Sequence, residues 1–191
     1  MNRAIALAAL AAAVFVCSAR AVPTLILNPP DGAVQGAPGE TVGWGYTFVN
    51  DTPFYLLVVG SDFCQPGQDP FFSTCTQLIG TYNDYIASNG TVIPPMSSPS
   101  QDFSPGNPGT GVGGYTIDTN PPASMDVGNI YVIFDEFNGD PFNGGMQVSG
   151  DMEVFSAASV TVVPEPATFG LGGLALAAIA GLRFRRMRRR S

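Results

Sequence analysis

The sequence predicts an all-β protein: a single antiparallel β-sandwich domain with a transmembrane helix after it at the C-terminus. Three observations lead there. Short β-branched and aromatic runs recur between Gly, Pro and Asn; no stretch before residue 167 shows helical periodicity; and an uncharged apolar run, Ala167 to Leu182, precedes six arginines in the last nine residues.

"TLILN", Thr24 to Asn28, is the first candidate strand. In "ETVGWGYTFVN", Val42, Trp44, Tyr46 and Phe48 alternate with small or polar residues, the period-two pattern of a half-buried strand. Their side chains fall on one face, and Trp44 is expected in the core. "FYLLVVGSDF" from Phe54, "GGYTIDT", "NIYVIFDEF" from Asn129 and "MEVFSAASVTVV" continue the series, for six to eight strands in all. Two sheets would bury the alternating residues against each other. Residues 94–114, "PPMSSPSQDFSPGNPGTGVGG", hold too much Pro, Gly and Ser for regular structure and exceed ordinary connections in length. They read as a mobile loop or a laid-down Ω-loop. No internal repeat is evident.

Both ends read as addresses. "MNRAIALAALAAAVFVCSARA" combines Arg3, an apolar stretch from Ala4 to Val16 and the small-x-small site Ala19-Arg20-Ala21, so residues 1–21 form a signal peptide cleaved between Ala21 and Val22. Cys17 follows Val16, where a lipoprotein signal wants a small residue, and leaves with the leader. At the other end, sixteen residues (167–182) make a helix of about 24 Å, short of the ~30 Å hydrocarbon core. Phe184 extends the apolar surface, and the first arginines reach back to the headgroups. The arginine cluster marks the cytoplasmic side and suits a stop signal better than a buried core helix. Residues 22–163 then form one exported domain, and 164–191 the terminal segment.

That domain has an unusual charge. Two of the eight arginines belong to the leader and six to the tail, and the sequence has neither Lys nor His. Fourteen of the fifteen carboxylates lie between Val22 and Val163, giving a formal charge near −14 with no basic side chain. No ion pair between side chains is available inside it, and nucleic acid and anionic polysaccharide should be repelled unless a cation bridges them, because nothing neutralises phosphate or uronate; no nucleic-acid partner is expected. The plain reading of the charge is solubility outside the cell.

With the leader gone, Cys64 and Cys75 are the only thiols, in an oxidising compartment, and are expected to form one disulfide. A metal site is the rival reading, but two thiols without His make a poor ligand set. Catalysis has few parts available: no His or Lys to act as base for a nucleophile, and no side-chain cation for a developing anion. Carboxylate pairs remain, Asp135 with Asp151 or Glu136 with Glu153, as a glycosidase would need. "DEFNGDPFNGG" gathers Asp135, Glu136, Asn138, Asp140 and Asn143, oxygen donors of the kind Ca²⁺ prefers, without EF-hand spacing; a solvated turn is the simpler account. Phe71 and Phe72, inside the disulfide loop, offer a platform for sugar rings or a hydrophobic plug under that loop. No catalytic, cofactor or metal residues are assigned. Asn50-Asp51-Thr52 and Asn89-Gly90-Thr91 match glycosylation acceptors and are taken as chance.

"VPEPAT", the Gly/Leu/Ala-rich run and "RFRRMRRR" together resemble the PEP-CTERM sorting signal. The resemblance implies handling by exosortase, a membrane enzyme of exopolysaccharide-producing Gram-negative bacteria, which would recognise Pro164, Glu165 and Pro166. "PGETVGWGYTFVNDT" resembles the opening strands of immunoglobulin-like modules of bacterial surface proteins, in which a Gly turn precedes an alternating strand ending at Asn, here Asn50. The expected protein is an exported, non-enzymatic component of the cell surface or extracellular matrix. It would be held first by the C-terminal helix and would act structurally or adhesively beside exopolysaccharide. A carbohydrate- or calcium-binding module is the second reading, and a carboxylate-only glycoside hydrolase the third. No cofactor is expected.

Overall fold

The structure, a computed structural model, describes residues 21–88, 90–106 and 109–163. The leader up to Arg20, the Pro164-Glu165-Pro166 motif and the helix expected at 167–182 lie outside these residues. Among the described residues, no helix is long and apolar enough to cross a membrane.

The strands are β1 (Thr24–Asn28), β2 (Ala33–Gly36), β3 (Thr41–Val49), β4 (Tyr55–Cys64), β5 (Gly80–Asp84), β6 (Val92–Ile93), β7 (Ser100–Gln101), β8 (Gly113–Ile117), β9 (Met125–Phe137) and β10 (Gln147–Val162). They form two sheets. One runs β1-β3-β8-β5, with β7 also on β3; the other runs β2-β10-β9-β4-β6. All pairs are antiparallel except β2 on β10, so the expectation of a purely antiparallel sandwich is corrected at that one edge. The cause is the chain's passage between sheets. After β1 it turns at Pro29 to Gly32 and continues as β2 in the opposite sheet, beside the last strand.

Gly32 makes that crossing possible, for it has φ +66° and a side chain there would run into the Ala157 carbonyl. Its own carbonyl accepts the Trp44 indole N–H at 2.8 Å. The indole is fully buried, as the alternation predicts, with Val42, Tyr46 and Phe48 on the same inward face. From the second sheet, Phe63, Ile130, Val132 and Phe134 meet them. Trp44 stacks on Phe63 at 6.0 Å, Phe63 meets Tyr115 edge-on at 5.5 Å, and Phe48 meets Phe134 edge-on at 5.9 Å. Each such side chain contributes ~1.5–3 kcal/mol by leaving water.

Most of the 94–114 segment is laid down on the first sheet. β7 pairs with Tyr46 and Thr47, Pro99 O accepts Phe48 N at 3.0 Å, and Ser104 and Thr110 exchange hydrogen bonds. Phe103 stacks on Tyr85 at 6.4 Å and lies over Gly43, where a Cβ would strike its ring. The glycine thus makes the seat for the loop's aromatic anchor.

The two ends of the domain lie far apart. Thr24 pairs with Val49 at the far end of β3, whereas Val162 pairs with Gly36, just before the turn into Thr41 at the near end. The chain enters beside the 50–54 turn and the β9–β10 connection. It leaves at the opposite end.

Candidate functional site

Cys64 closes β4 opposite Asn129 of β9 and is bonded to Cys75, with Cα atoms 4.6 Å apart. Side-chain caps shape the loop between them. Gln68 Oε1 accepts the N–H groups of Gln65 and Thr76 at 3.2 and 2.9 Å, and Asp69 Oδ1 accepts Phe71 N at 2.8 Å. The loop lies against the outer face of the second sheet, where the Tyr131 hydroxyl donates to Gln68 O at 3.4 Å. A carboxylate oxygen of Asp62 also lies within 4.8 Å of the two sulfurs. Since the sulfurs are bonded to each other, neither is a thiolate able to hold a metal.

Phe72 is 89% exposed and Phe71 37%. Of the two accounts of these rings, the plug under the loop does not hold for Phe72, which stands outward from the turn that Asp69 caps, while Phe71 is partly exposed. Beside it, Tyr131 packs against Phe155 with centroids 5.2 Å apart, and the Phe155 ring is more than half exposed. Burial, and then the Asp69 charge, push the Glu153 carboxyl above its ordinary range. Burial does the same to Asp62. This outer face presents aromatic rings among carboxylates, with no cation beside them among the described residues.

Of the two carboxylate pairs that the sequence offers, the sheet separates one and the backbone engages the other. Glu136 is fully buried, in phase with Phe134 on the inner face, whereas Glu153 pairs with Ile133 on the outer face. The sheet stands between them. Asp135 and Asp151 are neighbours, but Asp135 Oδ1 accepts Asp151 N at 3.1 Å, so it holds the bulged backbone at Asp151, where φ is +54°.

The acidic turn shows the same self-containment. Asp140 caps the short 3₁₀ turn Pro141–Asn143 through Phe142 N at 2.9 Å, its other oxygen accepts Asn143 Nδ2 at 2.6 Å, and Asn138 Oδ1 accepts Met146 N at 2.9 Å. Glu136 points inward. Among the described residues, Asp135, Glu136 and Asp140 do not gather as a carboxylate cluster.

Sequence reasoning missed the carboxylates that hold the sheets together. Asp126, 1% exposed, accepts the Tyr115 hydroxyl at 2.7 Å and Leu78 N at 2.6 Å on Oδ2, and Gln65 Nε2 at 3.2 Å on Oδ1. Asp84 accepts Ser61 Oγ at 2.8 Å and Ala87 N at 3.1 Å on Oδ1. Burial raises the pKa of both Tyr115 and Tyr82, and the hydrogen bond to Asp126 adds to the effect at Tyr115. Only the absence of basic residues hinted at this, since any buried acid then needs neutral donors. Asn50 is likewise fully buried, its amide donating to Phe54 O at 2.9 Å and Pro94 O at 2.8 Å, which closes the first glycosylation sequon. Asn89 lies outside the described residues. A hollow of about 410 Å³ between β2 and β3 is lined by Val34, Val42, Phe103 and Pro105. Its one carboxylate, Glu40, is held by Ala37 N at 2.7 Å.

These observations define a class: a two-sheet, all-β domain, acidic throughout, in which the buried Asp126 carboxylate answers to tyrosine, amide and backbone donors. Its destination is written from the last residue of the last strand onward. Residues 162–186 match the PEP-CTERM protein-sorting motif. The motif supports an exported, exosortase-sorted protein whose sorting signal is membrane-anchored, and it implies processing by exosortase. Among curated proteins, none matches the chain.

Proposed function

We propose that the chain is a structural or adhesive protein of the cell surface or extracellular matrix, associated with exopolysaccharide and without catalytic activity. The observation that carries this is the sorting motif, which begins at the last strand of a domain whose Asp126, Asp135 and Asp140 hold its own fold. In this reading the leader is cut between Ala21 and Val22, both exposed and just ahead of β1. The ectodomain is Val22 to Val163, and Pro164, Glu165 and Pro166 are what exosortase reads. The strand order supports an immunoglobulin-like assignment. β1-β3-β8-β5 facing β10-β9-β4 reproduces the two sheets of that fold, while β6, which follows β5 yet pairs with β4, departs from it.

The mass of the C-terminal peptide of the mature protein tests the proposal. An end near Pro164–Pro166 supports a released or matrix-attached domain. An intact "RMRRRS" end in the mature protein overturns the matrix assignment and leaves a membrane-held one.

One observation favours carbohydrate as a ligand: the outward Phe72 ring and the half-exposed Phe155 ring on the same face. Sugar-ring stacking needs such surfaces. A glycan array probed with the domain, then with Phe72→Ala/Phe155→Ala, should show hits that the variant loses; an array without hits counts against this reading.

A further inference from the structure

The sorting motif does not begin where the fold ends. The matched segment starts at residue 162, and Val162 is the last residue of β10. Its N–H donates to Ser124 O at 2.9 Å, and the next one, of Val163, donates to Gly36 O at 2.8 Å. Thr161 stands opposite Met125 of β9 on one side and beside Gln35 of β2 on the other. Both edges of the strand end are occupied. Pro164 follows at once, so a single ~3.8 Å Cα step separates the last hydrogen bond of the sandwich from the motif.

An enzyme that grips an extended peptide does so largely through backbone hydrogen bonds, as when a strand is added to a sheet. Pro164 and Pro166 have no N–H to offer, which leaves Glu165 as the motif's only backbone donor. Downstream lies the apolar run from Ala167. The remaining backbone that an enzyme can grip is upstream, Thr161 to Val163, and the sandwich already holds it.

We propose that exosortase and the sandwich compete for Thr161–Val163: the enzyme acts on chains in which the end of β10 is detached from β2 and β9, and a docked strand end is protected. The inference rests on the reading that this motif is processed. Detachment is local. β2 has only four residues and, among the described residues, pairs with no strand but β10, and Val160, the last fully buried side chain of β10, can stay in the core while the residues after it lift. Processing then precedes docking of the strand end or waits for it to open, and the fold sets the rate.

The experiment follows processing of the full chain in a host carrying its exosortase, by pulse-chase and C-terminal peptide mass. Because Val162 N bonds Ser124 O, Thr161 and Met125 form a non-hydrogen-bonded antiparallel pair, with Cα atoms about 4.5 Å apart, within disulfide reach. Met125 is 47% exposed, so Met125→Cys with Thr161→Cys staples the strand end without touching the core. The staple should slow processing about tenfold, reversibly with reductant, against a wild-type control given the same reductant. A flexible Gly/Ser spacer of about six residues between Val163 and Pro164 should speed processing several-fold and make the chain indifferent to the staple. Rates within about twofold of wild type for both variants overturn the proposal, because the enzyme then reads from Pro164 onward. If neither wild type nor the spacer variant is processed while the same exosortase processes another motif-bearing protein, the reading of the motif itself falls, and this inference with it.

Discussion

Asp126 is buried without a cation to pair it and is matched by neutral donors instead, which shows what an acid buried here demands of single residues. Three donors converge on it, and one of them, Tyr115, comes from the opposite sheet. Tyr115→Phe keeps the ring against Phe63 but removes the shortest side-chain donor, so unfolding free energy should fall by about 1–3 kcal/mol. Urea denaturation measures it, and an unchanged midpoint would show the bond to be idle. Glu153 makes a prediction about pH. Its folded pKa stands above the ordinary 4.5, through burial first and Asp69 second, and Asp62 is raised too. A raised folded pKa means that the native state holds the acid's proton better than the unfolded chain does. The stabilisation is complete below the ordinary carboxylate range and is lost as pH rises through the raised values. The melting temperature should therefore climb as pH falls from about 7 toward about 5, and Glu153→Gln should flatten part of that climb. A variant whose profile follows wild type throughout would clear Glu153 of the effect. None of these roles was legible in the sequence, where Asp126 and Glu136 look like any other surface acid. Burial of a carboxylate is decided by which face its strand turns inward, and bulges reset that between Val58 and Gly60 and again between Ser149 and Met152.

At the scale of elements, the sequence was readable where side chains alternate. The six strands expected at Thr24, Val42, Phe54, Gly113, Asn129 and Met152 appear as β1, β3, β4, β8, β9 and β10, because each buries its own apolar face. β2, β5, β6 and β7, with sequences AVQG, GTYND, VI and SQ, carry too little apolar patterning to announce themselves. They are strands because a longer neighbour offers them a ladder. The same logic explains the 94–114 segment, whose order comes from Phe103 and β7 docking on β3 rather than from any periodicity of its own. The disulfide, by contrast, followed from counting thiols in an exported chain. It closes a loop with a sequence separation of 11, for which chain entropy gives a little under ~3 kcal/mol. Replacing both Cys64 and Cys75 by Ser should lower the unfolding free energy by an amount of that order and speed proteolysis at Phe71 and Phe72. Equal protease resistance would mean that the glutamine and aspartate caps hold the loop unaided.

For the whole molecule, charge and the placement of its ends matter most. With a formal charge near −14 and no basic side chain between Val22 and Val163, added salt has no internal side-chain ion pair to weaken and only repulsion to screen. The melting temperature of the ectodomain should rise steadily with ionic strength from about 0.01 to about 0.5 M; a fall would reveal attractive charge interactions that this composition does not provide. The placement of the ends has a mechanical consequence. The chain arrives at one end of the sandwich and leaves at the other, and β2 runs parallel to β10 over Ala33–Gly36 and Ser159–Val162. Tension between a held tail and a tug on the distal end pulls these two strands past each other lengthwise. Their hydrogen bonds then share the force in shear and must give way together, where an antiparallel hairpin pulled from its open end would unzip one bond at a time. A protein tethered in flowing water is held by its tail in that geometry.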